Sequence, residues 1–325
     1  MYMAHGGTNF GLWASGGGPP LRPLTTSYDY DAPVSESGQT TDKFFKIQDV
    51  LSKHLEVGEV LPPVPKPINI ISIPTFQFEE SSSVFDTRIS PIIDVIPRNM
   101  EAYDQGYGAI LYRTELAPGA ASEISVKGIS DFAWIYLDGK KLGVMDKRIS
   151  NYKVQLPEIT KKSRLDIFVM AMGRPNDGSV YLKGLMAPVN RTVAGISKEL
   201  RNWEVFKMPL DSTFISNLKF KSVSKKSSSF WRAQVTLSEV GDTFLEFRNL
   251  GHGVLWVNGH NLGRYWNIGP QQTLYCPGAW LKKGKNEIIA LECLEPEKME
   301  MQGLKTPVMN ELHLEKDFSD YIQPN

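Results

Sequence analysis

An internal repeat constrains the fold of this chain more than any other feature of its sequence. Residues 134–143, WIYLDGKKLG, are echoed by residues 254–263, VLWVNGHNLG, 120 positions later. The similarity extends upstream, where residues 111–113 resemble residues 230–232. Because solenoid and propeller units are only about 20–50 residues long, a period of this size indicates two copies of a whole domain.

Each copy has the sequence pattern of antiparallel β-structure. Residues 109–112 and 132–137 are short runs of aromatic, aliphatic and β-branched side chains, which is typical of strands. The Asp-Gly dipeptide at 138–139 and the Asn-Gly dipeptide at 258–259 are strong signals for two-residue hairpin loops. We therefore predict a mainly β chain containing a pair of β-sandwiches, each with a hairpin at its repeated segment.

The first 67 residues have a different character. Residues 1–5 form a short apolar run that ends at Gly6-Gly7, which predicts a buried strand followed by a loop. Four prolines lie within residues 61–67 and predict a stiff linker. The glycines at 6–7 and 16–18 lack the Gly-Lys-Ser/Thr of a phosphate-binding loop, so a flexible loop is the favoured interpretation over a phosphate site.

A helix is predicted between the loop and the linker, from about Thr41 to Leu55. Phe44, Ile47 and Leu51 fall at helical spacing and form one apolar face. We expect this helix to persist only because those three side chains find apolar cover.

The charge and composition of the chain argue against several classes of function. Lys plus Arg and Asp plus Glu both total 36, so bulk electrostatics predicts neither nucleic-acid binding nor attraction to an anionic membrane. No apolar run approaches the roughly 20 residues that span a bilayer. The five histidines are not spaced as metal ligands, and we expect neither a metal nor another cofactor.

The two cysteines, Cys276 and Cys293, allow two interpretations. They could pair across neighbouring strands, or both could be buried free thiols, and we favour the second. The compartment is therefore not decided by cysteine content.

Several motifs together resemble one enzyme family. Residues 5–11 read HGGTNFG and residues 26–33 read TSYDYDAP, while VNGHNLGRYW and GPQQTL follow at 257–266 and 269–274. The combination is similar to glycoside hydrolase family 35, the β-galactosidases, and the resemblance covers the whole chain. It implies the last unit of a (β/α)8 barrel (strand 8, active-site loop and helix 8), followed by two galactose-binding-like jelly-roll sandwiches. The predicted divisions are a barrel remnant, a linker with the first sandwich strands, the first jelly roll and the second jelly roll, at 1–60, 61–104, 105–200 and 201–325.

The resemblance implies a retaining exo-hydrolysis that releases terminal non-reducing β-D-galactose. Such a reaction uses two glutamates about 5 Å apart, one as nucleophile and one as acid/base. In the family these stand at the ends of the fourth and seventh barrel strands, whereas this chain begins at the eighth. A complete barrel takes about 250 residues, and the linker begins at residue 61. We therefore expect no catalytic residue in this chain and no activity from it alone.

By position against the motifs, Tyr2, Tyr28 and Tyr30 correspond to tyrosines that surround the galactose in the family. A phenol offers a flat apolar face to a sugar and a hydroxyl that can donate or accept a hydrogen bond. The expected partners are a β-galactoside oligosaccharide or glycan and the missing N-terminal barrel, in cis or in trans. By resemblance the location is periplasmic or extracellular, although nothing in this chain decides it.

Three carboxylates near the tyrosines, Asp29, Asp31 and Glu36, have two interpretations. Two of them could form a hydrolytic pair. Alternatively, they hydrogen-bond the backbone of a tight loop, as Asp commonly does, and we favour this view.

The second hairpin carries a dense aromatic and polar cluster, which also has two interpretations. It could be a sugar-binding patch, or it could combine sandwich core with a face that docks onto the barrel, which we favour. The cluster comprises Trp256, His260, Arg264, Tyr265 and Trp266. The sugar-binding interpretation leads to an alternative function for the chain, a stand-alone carbohydrate-binding module without hydrolase activity.

Overall fold

The computed structural model describes residues 3–14, 16–17, 22–29, 31–86, 89–174, 182–222 and 228–316. None of the helices in these ranges is long and apolar enough to cross a membrane. The two α-helices are α1 (Asp42–Ser52) and α2 (Ser212–Ser216). Short 3-10 helices lie at Met100–Tyr103, Lys147–Ile149, Gly278–Trp280 and Leu314–Lys316. The strands are β1 (Gly16–Gly17), β2 (Arg22–Pro23), β3 (Ile73–Gln77), β4 (Glu80–Ser83), β5 (Ile92–Asp94), β6 (Ala109–Leu116), β7 (Ser122–Ser130), β8 (Phe132–Leu137), β9 (Lys140–Asp146), β10 (Lys153–Leu156), β11 (Ser163–Met170), β12 (Gly184–Val193), β13 (Ile196–Glu199), β14 (Trp203–Met208), β15 (Lys221–Ser222), β16 (Ser229–Leu237), β17 (Thr243–Glu246), β18 (His252–Val257), β19 (His260–Trp266), β20 (Thr273–Cys276), β21 (Gly284–Glu292) and β22 (Glu300–Leu304).

The first sandwich packs a four-stranded sheet on a six-stranded sheet. The strand orders are β10-β7-β12-β13 and β5-β14-β6-β11-β8-β9, and every described pairing within them is antiparallel. Its core contains Ile110, Tyr112, Ile135, Ile167 and Trp203, all buried. The predicted β-sandwich is thus confirmed for the first copy of the repeat.

The second sandwich has the same construction. A six-stranded sheet, β15-β4-β16-β21-β18-β19, faces a four-stranded sheet, β20-β17-β22-β3. Its core contains Leu245, Phe247, Leu255, Tyr265 and Ile288. The mainly β fold with two sandwiches is therefore confirmed.

A third apolar core joins the two sandwiches through the outer faces of their six-stranded sheets. Trp134 and Phe168 from the first sandwich share this inter-sandwich core with Phe230, Trp256 and Leu291 from the second. Both sheets are consequently buried on both faces, which explains why their strands read as continuous apolar runs. In β8, for example, Phe132, Trp134 and Tyr136 face the inter-sandwich core, whereas the intervening residues face the first sandwich.

The repeated hairpins adopt the same turn. Asp138 and Gly139 have φ values of 51° and 85°, and Asn258 and Gly259 have φ values of 49° and 83°. Two successive positive φ angles define a type I′ turn, which favours Asp or Asn followed by Gly. The strands predicted over residues 132–137 and 254–257 are both present.

The two hairpins also share an irregularity. The pairing of β8 with β9 shifts between Ile135 and Tyr136, and that of β18 with β19 shifts between Leu255 and Trp256. Each shift leaves one leucine unpaired in the register, Leu142 or Leu262. The internal repeat therefore extends to the position of a β-bulge, which increases the local twist of the hairpin.

The strand pairings differ from the predicted domain divisions. Strands β3 and β4, assigned to the linker and first sandwich by the 61–104 division, pair with β22 and β16 of the second sandwich. Strand β14, assigned to the second sandwich by the 201–325 division, belongs to the first. The first sandwich is thus inserted into the second. This is possible because its first and last strands, β5 and β14, are neighbours, so the chain enters and leaves at one edge region.

The N-terminal segment differs from prediction at two points. Among the described residues 3–5 there is no strand, only a single parallel bridge between His5 and Val34. Helix α1 forms within the predicted range, but none of its residues is buried, and Val50 and Leu51 are 55% and 50% exposed. Of the three side chains predicted to be covered, Phe44 and Ile47 are half-buried and Leu51 is exposed. The expected apolar cover is therefore only partly present in the described part of the chain.

Both cysteines are free and buried, as predicted. Cys276 ends β20 in a four-stranded sheet, whereas Cys293 follows β21 in a six-stranded sheet. The two lie in different layers of the second sandwich, so they are not on neighbouring strands.

The inter-sandwich core predicts the effect of a single truncation. Because Trp256 is almost fully buried there, Trp256→Ala should lower the free energy of unfolding by about 3–5 kcal/mol. Urea unfolding followed by circular dichroism measures the change. The control Ile196→Ala removes a strand residue that is 76% exposed and should change stability by less than about 0.5 kcal/mol. Equal effects of the two substitutions would contradict the importance of this core.

Candidate functional site

The predicted galactose-site tyrosines are only partly within the described structure. Tyr2 and Tyr30 lie outside the described residues, whereas Tyr28 lies in a loop and is 36% exposed. The Tyr28 N–H donates to Gly7 O at 3.0 Å, and a Cβ added at Gly6 would lie 1.6 Å from Tyr28 O. The HGGTNFG and TSYDYDAP motifs are therefore adjacent, and the approach of their backbones requires glycine at position 6.

Gln271 connects this pair of motifs to the second sandwich. Its side-chain oxygen accepts from the Ser27 N–H at 3.1 Å, and its side-chain nitrogen donates to Thr26 Oγ1 at 2.8 Å. All three residues are buried. The GPQQTL segment thus fixes the start of the loop that carries Tyr28.

Asp29 and Asp31 have structural contacts. Asp29 accepts from the Glu36 N–H at 2.9 Å and the Ala32 N–H at 3.4 Å, as expected for a carboxylate that stabilises a tight loop. Asp31 instead forms a 2.6 Å ion pair with Lys43 on α1 and is largely exposed. The structure does not present these carboxylates as an opposed pair.

Glu36 is a buried carboxyl group that interacts with the hydroxyl groups of Thr8 and Ser27. Thr8 Oγ1 donates to its Oε1 at 2.6 Å, and the residue is 6% exposed. Burial raises the pKa of Glu36 to about 7, with a smaller contribution from the charge of Asp29, while the Thr8 hydroxyl opposes the shift. Sequence analysis identified Glu36 as one of three loop carboxylates, and nothing in its pattern distinguished it as the buried one.

The five residues of the predicted aromatic patch do not form one surface. Trp256 is buried in the inter-sandwich core, and Tyr265 is buried in the core of the second sandwich. The Tyr265 hydroxyl lies 2.8 Å from Leu291 O and 3.0 Å from Glu292 Oε2. These two aromatic side chains are therefore structural.

His260, Arg264 and Trp266 lie at different places along β19. His260 stacks on Trp280 with 4.7 Å between ring centroids, and Trp280 also contacts Phe10 at 4.5 Å. Arg264 Nη2 donates to Ala14 O at 3.3 Å. These contacts join the hairpin to the N-terminal segment and favour the docking interpretation.

Backbone contacts strengthen this junction. The Gly11 N–H donates to Asn261 O at 3.0 Å. Gly263 has φ of 123°, and a Cβ there would lie 2.4 Å from the Thr26 side chain. The hairpin therefore needs glycine at this position for close approach of the N-terminal segment.

Glu292 is another buried carboxyl group, and sequence reasoning missed it. It is fully buried at the end of β21 and accepts from the backbone N–H groups of Gly251, His252 and Leu294 at 2.7–3.2 Å. Burial raises its pKa to about 7 despite these hydrogen bonds. A Glu in a strand gives no sequence signal for such a role.

Three family models match separate parts of the chain. Residues 1–54 match "Glycosyl hydrolases family 35", residues 97–210 match "Beta-galactosidase, first all-beta domain", and residues 228–286 match "Beta-galactosidase, galactose-binding domain". The second and third matches fall within the first and second sandwiches.

Curated relatives match along most of the chain. A "Beta-galactosidase" of Xanthomonas manihotis is 33% identical over 281 residues, covering 85% of this chain and 46% of the relative. "Beta-galactosidase 1" of Dictyostelium discoideum is 30% identical, covering 94% and 51%. "Beta-galactosidase-1-like protein" of Mus musculus is 36% identical, covering 95% and 50%. The chain thus spans about half the length of these relatives.

The raised pKa of Glu36 predicts a pH-dependent effect on stability. The folded pKa of about 7 exceeds the ordinary 4.5, so this group's contribution to stability is fully present below about pH 4.5 and is lost as pH rises through 7. Glu36→Gln should therefore gain stability relative to the unsubstituted chain between pH 5 and pH 8, by roughly 3 kcal/mol at most. Thermal unfolding of Glu36→Gln and of the unsubstituted chain at pH 5 and pH 8 measures this difference in stability.

A substitution at Thr8 should change the pH dependence of stability in the opposite direction. Because the Thr8 hydroxyl favours the ionised form of Glu36, Thr8→Val should lose more stability at pH 8 than at pH 5. Parallel pH profiles for Glu36→Gln and the unsubstituted chain would show that burial does not shift this carboxyl group.

Proposed function

Because the chain belongs to glycoside hydrolase family 35, we propose that it is the C-terminal portion of a retaining exo-β-galactosidase and supplies galactose recognition and the β-domains. The two catalytic glutamates come from a barrel outside these 325 residues. The proposed substrate is a terminal β-galactoside of an oligosaccharide or glycan. The names of the relatives, two β-galactosidases and one β-galactosidase-1-like protein, support this reaction class.

The main support for the proposal comes from the contacts of the three carboxylates that lie near Tyr28 in the sequence. Retaining hydrolysis needs one carboxylate positioned for attack and one carboxyl group positioned to protonate the leaving oxygen, about 5 Å apart. Asp29 is engaged by backbone N–H groups, Asp31 by Lys43, and Glu36 is buried against Thr8. None of the three is arranged for this chemistry, so the catalytic pair is assigned to another part of the enzyme.

Exposed apolar side chains on α1 support a barrel partner in cis or in trans. Phe45, Val50 and Leu51 are exposed large hydrophobic side chains on a helix that has no buried residue. Large apolar side chains of a helix in a globular protein normally pack against a core. A barrel would supply that core and would also bring the missing carboxyl groups close to Tyr28.

In this assignment the tyrosines bind the sugar and carry out no proton transfer. A phenol with an ordinary pKa near 10 is neutral at pH 7 and is a weak base. The hydroxyl of Tyr28 can donate to or accept from a sugar hydroxyl, and its ring can pack on the C–H face. Tyr2 and Tyr30 are proposed to act in the same way.

The proposal is tested with a nitrophenyl β-D-galactoside, using the 325-residue chain alone and the protein extended upstream with its barrel. The chain alone should show no turnover, and the extended protein should be active. In the extended protein, Tyr28→Phe should lower kcat/KM by about 3–10-fold, as expected for loss of one uncharged hydrogen bond. Tyr152→Phe, a partly exposed tyrosine in the first sandwich, is the matched control and should leave kcat/KM unchanged.

Turnover by the chain alone that disappears in Asp29→Asn would overturn the proposal, since it would locate the chemistry within this segment. An extended protein that remains inactive while it binds galactosides would overturn the hydrolase assignment.

One observation favours the alternative of a carbohydrate-binding module. Trp13 is 75% exposed, and its ring lies 5.6 Å from that of Tyr107, which is also exposed. Exposed aromatic faces can stack on sugars. Under this alternative, calorimetry should detect lactose binding to the 325-residue chain, and Trp13→Ala should abolish it while the control Ile196→Ala retains it. Absence of binding by the unsubstituted chain would exclude this function.

A further inference from the structure

A small cavity lies where both sandwiches meet the N-terminal segment. Its volume is about 100 Å³. Hairpin β18–β19, the 3-10 helix after β9 and the loop before Tyr28 all contribute to its wall. The polar and aromatic lining includes Thr25, Arg148, His252, Arg264 and Trp266. None of the described lining residues is an Asp or a Glu.

His252 in the wall of this cavity lacks hydrogen-bond partners. Its side chain is completely buried, and neither ring nitrogen has a partner among the described residues. The ring stacks on Trp266 at 4.1 Å and 5°, and its edge meets Phe132 at 5.5 Å. An imidazole always carries at least one N–H donor. Leaving such a group unpaired in a protein interior costs about 1–3 kcal/mol.

Arg264 is the second residue of the wall with an unsatisfied group. Its Nη2 donates to Ala14 O at 3.3 Å and Leu24 O at 3.5 Å, whereas its Nη1 is buried without a partner in the described structure. No ion pair found among the described residues includes Arg264. Desolvation lowers its pKa to about 10, and the charge of Asp131 opposes this shift only in part.

The neighbouring charges do not neutralise this guanidinium. Arg148, whose guanidinium lies 4.3 Å over the Trp266 ring, is paired with Asp146. Asp131 is already shared by Lys183 at 2.5 Å and Lys147 at 3.6 Å. Asp131 and Asp146 are thus each shared with another cation, and Glu292 accepts from the backbone N–H of His252. No described carboxylate forms an ion pair with Arg264.

We propose that this cavity binds one small inorganic anion, held by the guanidinium of Arg264 and the imidazole N–H of His252. Water could satisfy the hydrogen bonds but would leave Arg264 without an anionic partner. The volume corresponds to about three water molecules at roughly 30 Å³ each, which accommodates a halide or a tetrahedral oxyanion. A chain-like organic anion does not fit.

The location gives the anion a structural effect. Arg264 also binds Leu24 O, and Gln271, another wall residue, holds Thr26 and Ser27. An anion in the cavity would therefore fasten the loop that carries Tyr28 to the second sandwich. Binding of an anion to this partly buried cation would stabilise the folded state through mass action.

Thermal unfolding of the full chain tests the proposal with sodium bromide, sodium sulfate and sodium gluconate at constant ionic strength. Bromide or sulfate should raise Tm by a saturable amount, about 5 °C at a hundredfold excess over Kd. Gluconate, which is too large for the cavity, should leave Tm unchanged. His252→Phe keeps the stacked ring but removes its nitrogens, so it should weaken the dependence at least tenfold.

Two controls separate the site from general salt effects. Arg248→Met removes an arginine outside the cavity that pairs with Glu311 and should retain the full anion dependence. Arg264→Met should abolish it. If Arg264→Met does not fold, crystals of the unsubstituted chain in bromide decide the question through anomalous scattering. A bromide peak in the cavity supports the proposal, and ordered water alone at saturating bromide overturns it. An equal, non-saturating rise of Tm in all variants also overturns it.

Discussion

The contact between the outer faces of the two six-stranded sheets is the constraint on which the rest of the structure depends. It buries Trp134 and Phe168 against Phe230 and Trp256, and it turns two sandwiches into a four-layered body with three cores. Side chains at the edge of this contact bury His252 and hold the loop that carries Tyr28. His252 is completely buried there because Trp266 and Phe132 enclose it from the two domains. The loop carrying Tyr28 is held at the same edge, through Gln271.

Much of the β-structure could be predicted from the sequence because local rules specify it. Asp138-Gly139 and Asn258-Gly259 take positive φ angles that few other dipeptides tolerate, and their strands are rich in aromatic and β-branched residues. The repeat predicted that the two hairpins would correspond, and the structure extends the correspondence to a shared bulge. The continuous apolar character of FAWIYL at 132–137 also contained a signal for burial on both faces, which the structure explains.

The remaining features depend on partners distant in sequence. Nothing local shows that β3 and β4 belong to a sandwich completed more than a hundred residues later. The apolar spacing of Phe44, Ile47 and Leu51 predicted a helix correctly but carried no information on what would cover it. In the hairpin, the same aromatic residue types suit a sugar surface, a core and a docking face, so Trp256 and His260 could be distinguished only by their surroundings. The burial of Glu36 and Glu292 is likewise a tertiary property.

Because one sandwich is inserted into the other, the strands of the second sandwich are not synthesised consecutively. The first sandwich runs without interruption from β5 to β14 and can close as soon as it emerges. Strands β3 and β4 emerge earlier, yet their partners follow much later, as the 152-residue separation of Glu80 and Arg232 and the 223-residue separation of Gln77 and Glu300 show. Until then two strands with unpaired edges are tethered to a finished domain, and such edges invite aggregation. Because the completed insert joins its own ends at neighbouring strands, it shortens the effective distance over which β4 must find β16. The folded first sandwich thus keeps β4 close to the point where the chain returns to complete the second sandwich.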